Sequence, residues 1–263
     1  MKYIYFVRGE MHAAMAQVSI ASLAKADPAS NPVVMTDDLS VLENPGLCKV
    51  AQVRWLEGER GRPMMLVNLD AQCAAIASLE RGEPAVLLDT DTIVLQMLPL
   101  EVSDNLVVTW RDRIGTDAEG KPQVGIAQSM PYNYGVIGVR GGYKTLQAFM
   151  WMRERIRTMS PGLQQWYGNQ VALAALCGPR PESGTVTDLR AIPWTLTSHG
   201  DTVAIRKVEG SRYNYTPQQV GERIHGMRSI LHFKGKKRGL MKVYAERLSL
   251  PWFDILDPPQ QAA

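Results

Sequence analysis

Val86-Leu87-Leu88-Asp89-Thr90-Asp91-Thr92-Ile93-Val94 is the stretch on which the reading of this chain turns. The apolar run at residues 85–88 reads as a buried strand, with Gly82 and Pro84 breaking the chain before it. Asp89 ends that strand where the backbone leaves a sheet at its carboxyl edge. Open α/β sheets bind their ligands along that edge. Two carboxylates one residue apart at such a point place hard oxygen ligands side by side. That pairing suits a divalent cation that also holds phosphate oxygens. An isolated Asp-x-Asp is more often an acidic turn. The strand before this one, and the residues downstream, separate it from that reading.

The sequence has 263 residues, enough for one large α/β domain or two small ones, with a sizeable core. Hydrophobic residues at 45% and charged residues at 21% are those of a globular protein. A net charge of +3 is too small to argue for nucleic acid by itself. Cys48, Cys73 and Cys177 lack metal-ligand spacing and read as free thiols in a reducing compartment. Residues 1–7 form a short apolar strand without the long core of a signal peptide. No uninterrupted apolar stretch is long enough to span a bilayer. The expectation is a cytoplasmic protein with no membrane span.

Working outward from residue 89, the chain alternates strands and helices. A strand at residues 3–7, a turn at Gly9, a helix over 11–26 and a strand at 33–35 make one βαβ unit. No G-x-G-x-x-G and no G-x-x-x-x-G-K-[ST] follows the first strand, which disfavours dinucleotide and P-loop sites. A third short strand is expected over 47–53, and a helix over 64–79 with Leu66, Leu69, Cys73, Ile76 and Leu79 on one core-facing stripe. Residues 92–95 continue the central strand. Another strand covers 106–110, and residues 111–124 form a surface loop that can cover a site. Pro131-Tyr132-Asn133-Tyr134-Gly135 reads as a turn running into a strand at 136–139, followed by a helix over 143–157. Trp166 to Gln170 open an apolar helix at 171–176. Short strands are expected near 185–189 and 203–205. Ser229-Ile230-Leu231-His232 is an apolar run that ends in Phe233-Lys234-Gly235-Lys236-Lys237-Arg238, and a helix over 240–248 follows. Residues 1–250 read as a single domain and 251–263 as a tail.

Four segments carry chemistry: Asp89-Thr90-Asp91, Asn133-Tyr134-Gly135-Val136, Gly168-Asn169-Gln170, and His232-x-x-Gly235 with its cations. In this order they resemble the GT-A glycosyltransferases, especially the glycogenin-like family 8 group. The resemblance covers residues 3 to about 238. It implies a Rossmann-like α/β fold with a mixed, mostly parallel central sheet flanked by helices. It also implies a hexosyl- or pentosyltransferase that uses a UDP-sugar donor, Mn²⁺ or Mg²⁺, and retention at the anomeric carbon. Asp89, Asp91 and His232 match the metal ligands. Imidazole nitrogen beside carboxylates suits Mn²⁺ better than Ca²⁺. Thr90, Gly235, Lys236, Lys237 and Arg238 fall where the diphosphate is held, the cations pairing with its oxygens. Asn133 and Gly135 match the segment lining the sugar and acceptor side, and Gln170 the glutamine beside the anomeric centre. Asn169 stands where the family carries Asp, so an amide replaces a carboxylate. The family's phosphate-binding lysine falls on Arg238, with Lys237 one short. Phe6, Val7 and Asp37 are the expected contacts at the nucleotide end.

Two other readings compete. A nucleotidyltransferase would carry a Gly-rich N-terminal loop with a basic residue, and residues 5–12 hold only Gly9 and Arg8. A non-catalytic GT-A-like domain that binds a nucleotide or partner is motivated by Asn169 and opposed by Asp89, Asp91 and His232. The acceptor is open: glycan, protein or DNA. Arg153, Arg155, Arg157, residues 234–238, Lys242 and Arg247 form a possible basic face for DNA phosphates, as in glycosylation of a modified base.

Overall fold

The computed structural model describes residues 1–57, 61–98, 104–111, 130–178, 194–195, 202–220, 222, 224, 228–234 and 237–257. Its elements begin with β1 (Lys2–Phe6), α1 (Glu10–Ala26), β2 (Asn31–Thr36), α2 (Leu39–Leu42), α3 (Pro45–Val50), β3 (Gln52–Trp55) and α4 (Met64–Ala77). Next come β4 (Pro84–Leu88), β5 (Thr92–Val94), β6 (Leu106–Trp110), β7 (Tyr132–Arg140), α5 (Tyr143–Arg157), α6 (Pro161–Gln165) and α7 (Gly168–Cys177). The rest are β8 (Trp194–Thr195), β9 (Thr202–Val203), β10 (Ile205–Glu209), α8 (Gly210–Tyr213), β11 (Ile230–His232) and α9 (Arg238–Arg247). Seven strands form one mixed, mostly parallel sheet in the order β10-β6-β7-β4-β1-β2-β3. The β1/β2, β2/β3 and β10/β6 pairs are parallel and β6/β7 is antiparallel. The α/β class expected from the sequence is therefore the one observed. The chain divides into two compact units, residues 1–57, 88–98 and 212–263, and residues 58–87 and 99–211.

In the first unit β1, β2 and β3 lie side by side and α1 follows β1 through Gly9. Gly9 takes φ 80°, a left-handed conformation that favours glycine, and its N–H donates to Asp38 Oδ2 at 2.9 Å. Residues 47–53 do not form the expected third strand. Asn44 and Pro45 start a helix there instead. Asn44 Oδ1 accepts from the N–H groups of Gly46 and Leu47, both at 3.0 Å, and Pro45 occupies the first helical position. The third strand begins only at Gln52. Residues 92–94 likewise leave the central sheet. As β5 they pair antiparallel with β11, placing His232 opposite Thr92. Ile93, Leu231 and Phe233 then pack with Met15 and Val18 of α1 and with Met241 and Tyr244 of α9. Trp252, Phe253 and Leu256, within the segment read as a tail, pack on the same cluster.

In the second unit β6 and β7 pair with a break in register. Val108 lies opposite Ile137, and the next residue, Thr109, opposite Asn133. Residues 134–136 are therefore extra on β7, a bulge that re-aims the backbone. Asn133, Tyr134 and Gly135 sit inside this nine-residue strand rather than in a turn before it. The Gly135 N–H donates to Asn133 Oδ1 at 3.3 Å, closing the bulge on itself. Helices α4 and α5 pack together, α5 meets α7, and α7 lies against β7. Tyr167 precedes α7 at φ 68°, uncommon for a bulky residue. Gly168 is needed next, because a Cβ there would lie 2.4 Å from the Leu163 carbonyl oxygen. The expected loop beyond Arg111 and the strand near 185–189 lie outside the described residues.

Candidate functional site

In the first unit the chain brings Asp89, Asp91 and His232 together, with one ligand atom from each lying within 4.8 Å of the others. Asp89 and Asp91 leave the carboxyl end of β4 in the turn before β5, and His232 arrives on β11. Backbone hydrogen bonds clasp the segments: the Phe233 N–H donates to the Asp91 carbonyl at 2.8 Å and the His232 N–H to the Tyr215 carbonyl at 2.7 Å. Behind the turn, the Thr92 hydroxyl donates to the Asp89 carbonyl at 2.8 Å and meets Ser19 Oγ at 2.9 Å, and Ser19 meets the Tyr5 hydroxyl at 3.1 Å. The acidic turn is thereby fixed from below by buried side chains.

His232 Nε2 lies 3.1 Å from Asp91 Oδ1 and 3.5 Å from Asp89 Oδ2. Its Nδ1 lies 3.0 Å from Asn214 Oδ1, an acceptor, which assigns the proton of the neutral ring to Nδ1. Nε2 then turns its lone pair toward two carboxylates. Three electron-rich atoms so close repel one another unless a cation or a proton lies among them. The donor set, two oxygens and one imidazole nitrogen with its far side held, fits a divalent transition metal. Burial would raise the Asp91 carboxyl, but His232 and Arg238 beside it outweigh that and hold it well below the usual carboxylate range. Asp89 shifts upward, through withdrawal from water and the adjacent Asp91 charge, against the pull of His232. Its side chain is still 44% exposed, so an incoming ion can reach it.

The neighbouring cations are not equivalent. Arg238, at the start of α9, turns its Nε to Asp91 Oδ2 at 3.4 Å. Lys237 donates to the Gln218 carbonyl at 2.5 Å. Gly235 and Lys236 lie outside the described residues. Thr90 is buried, its hydroxyl 2.9 Å from Nδ1 of His12. At the nucleotide end expected from the sequence, Phe6 is half-buried, whereas Val7 is wholly buried and its N–H donates to the Met35 carbonyl at 3.0 Å. Asp37 pairs through Oδ2 with Arg8 at 3.3 Å, while its buried Oδ1 has no hydrogen-bond partner among the described residues. His12 and Asn214 had no signal in the sequence. Neither lies near the Asp-x-Asp in the chain, and only the fold brings them to it.

The second unit holds Asn133, Asn169 and Gln170. Asn169 and Gln170 stand in the first turn of α7, where Asn169 Oδ1 accepts from the Gln170 N–H at 2.8 Å. Gln170 Oε1 accepts a hydrogen bond from Nη2 of Arg111, the residue after β6. Arg111 was read from the sequence only as the start of a loop. The arginines counted toward a basic face on α5 are partly neutralised: Arg153 pairs with Asp70 and Glu154, and Arg157 with Glu154. In the first unit Lys242 pairs with Asp257 at 2.8 Å. Among the described residues no helix is long and apolar enough to cross a membrane.

No protein-family profile matches this chain, and no curated protein does. Solved structures do resemble it. A crystal structure of an active-site mutant of LgtC covers 99% of this chain and 98% of its own, at TM-score 0.52 and 13% identity. The galactosyltransferase LgtC in complex with donor and acceptor sugar analogues covers the same shares, at TM-score 0.51 and 12% identity. The glycosyltransferase GlyE of Streptococcus pneumoniae TIGR4 covers 97% of this chain, which spans 63% of GlyE, at TM-score 0.53 and 13% identity. At such identities the likeness is one of fold: the chain has the GT-A glycosyltransferase fold.

Proposed function

We propose that this chain is a metal-dependent glycosyltransferase, a single GT-A domain that moves a sugar from a nucleoside diphosphate, UDP foremost, to a hydroxyl acceptor. The observation that carries the proposal is the convergence of Asp89, Asp91 and the Nε2 lone pair of His232 at the end of a central strand in this fold. These three residues would hold Mn²⁺ or Mg²⁺. When bound, such an ion supplies positive charge against the diphosphate that leaves.

The chain's own groups take the other roles. Arg238 already neutralises part of Asp91 and is 43% exposed, so it can exchange that contact for a phosphate oxygen. Lys237 stands beside it for the same anion. The orphaned Oδ1 of Asp37 is an acceptor for a base N–H or a ribose hydroxyl, and Phe6 offers an apolar surface to the base. Asn133, Asn169 and Gln170 contact the sugar with amides, which bond hydroxyls without adding charge. Retention at the anomeric carbon, with the leaving phosphate taking the acceptor's proton, belongs to the same reading by resemblance to family 8.

The test is nucleotide release from a panel of UDP-, GDP- and CMP-sugars with Mn²⁺, for wild type and Asp91→Ala. The expected result is metal-dependent release from one donor class that the variant abolishes. Calorimetry showing no nucleotide binding, together with no release, would sink the proposal in favour of a non-catalytic domain.

A further inference from the structure

The carboxylate of Asp91 divides its two oxygens between two partners. Oδ1 lies 3.1 Å from His232 Nε2, and Oδ2 lies 3.4 Å from Arg238 Nε. Both ends of the second contact are mounted on fixed backbone. Asp91 is clasped through its carbonyl by the Phe233 N–H at 2.8 Å. Arg238 opens α9, whose Met241, Tyr244 and Ala245 are buried with Ile93 and Phe233 in one cluster. The Asp91 side chain is 8% exposed and that of Arg238 43%, so the carboxylate is held while the guanidinium can swing away. Lys237 and Lys242 point to other partners, the Gln218 carbonyl and Asp257. Lys234 acts with Arg238 on Asp89, both favouring its ionised form.

The inference deepens the transferase reading above and rests on it. Two carboxylates supply two negative charges, and a divalent ion among Asp89, Asp91 and His232 would use both. A guanidinium on Asp91 draws on the same charge and repels the ion through a carboxylate that water reaches poorly. A diphosphate reverses that sign. It brings the negative charge that both cations lack, and a guanidinium pairs with phosphate oxygens as readily as with a carboxylate. We infer that Arg238 is a switch between metal and donor. It competes with the cation for Asp91 when no nucleotide is bound, and passes to the donor's diphosphate when one is. Metal and nucleotide then raise each other's affinity by an equal factor, part of which belongs to Arg238. The opposite role, a fixed brace that orients Asp91 for the metal, gives the opposite sign when the arginine is removed.

The sign is read from manganese affinity, measured by EPR with and without saturating UDP, for wild type, Arg238→Gln and Lys242→Gln. The lysine variant removes the same charge from α9 at a side chain paired with Asp257, and so controls for net charge. Without UDP, Arg238→Gln should bind manganese about 3- to 10-fold more tightly than wild type, and Lys242→Gln within about twofold of it. The gain in manganese affinity that UDP brings should be smaller in Arg238→Gln than in wild type, by a factor of about 10. An Arg238→Gln protein that binds manganese no better than wild type without UDP, or that gains as much from UDP, overturns this inference and leaves the transferase reading standing. Where Arg238→Gln fails to fold, Arg238→Met, which keeps the apolar stem, answers the same two comparisons. Wild type that binds no manganese even with UDP, or binds it alike with and without, removes both readings together.

Discussion

Replacing Asn214 with Ala should weaken metal binding although Asn214 touches no ligand site itself. His232 and Asn214 are 3% and 4% exposed, so water cannot replace the lost acceptor. Two outcomes compete for the ring. If the proton stays on Nδ1, a buried N–H goes unsatisfied at a cost of about 1–3 kcal/mol. If it moves to Nε2, that cost is avoided, because Nε2–H then donates to Asp91 Oδ1 at 3.1 Å. The second arrangement is the easier one, and it withdraws the lone pair from the site. A cation must then expel a proton to bind. The expected loss is about 10- to 100-fold in affinity, or about 1.4–2.7 kcal/mol. Manganese EPR titration at pH 7.5, with thermal melts alongside, measures it. Asn214→Asp retains the acceptor, makes the imidazole more basic and should bind at least as tightly as wild type. Manganese affinity of Asn214→Ala within twofold of wild type, with a clear loss of melting temperature, would refute the reasoning and leave Asn214 a packing residue.

Manganese itself should stabilise the protein, by about 2.7 kcal/mol at a hundredfold excess over its Kd. Scanning calorimetry should show this gain reversed by EDTA and absent from Asp91→Ala. Gly168→Ala pushes a Cβ to 2.4 Å from a backbone carbonyl, which α7 can relieve only by shifting. Urea melts should show a loss of about 1–3 kcal/mol, and a neutral substitution would mean that the loop yields freely. His12 is depressed below its ordinary value, by burial first and by Arg238 second, against the pull of Asp91. The unfolded chain therefore binds the proton more readily, and stability falls as pH drops through about 6.5 toward the folded value. Urea midpoints at pH 5.5 and 7.5 should differ less in His12→Gln than in wild type; an equal difference in both would place the effect elsewhere.

The parts legible in the sequence were those decided locally. The strand ending at Leu88 and the helix Tyr143–Arg157 follow from apolar runs and from Gly and Pro breaks, and they stand where the pattern puts them. Where two local signals disagreed, the apolar run was the wrong one to follow. Residues 47–53 offered a short, mostly apolar run, but Asn44-Pro45 offered a capped start, and satisfying the orphan N–H groups decided for helix. Residues 131–135 look like a turn because Pro, Asn and Gly are turn residues. The register shift between β6 and β7 absorbs the same residues as a bulge. No reading of a single strand reveals a bulge, since it is a property of the pair.

The site divides along the same line. Asp89, Asp91 and His232 were legible because chemistry restricts which residue types bind a metal, and few histidines stand beside a glycine and a run of cations. The residues that set how those ligands behave follow no such restriction. Asn214 holds the histidine tautomer from 18 residues away, and His12 reaches Thr90 from 78 residues away. Arg111 reaches Gln170 from 59 residues away. A contact across such a separation exists in the folded chain and in no segment of the sequence. The identity of the donor and acceptor is therefore to be sought around Gln170 and the Arg111 that holds it, rather than at the metal triad, whose chemistry serves one sugar and another alike.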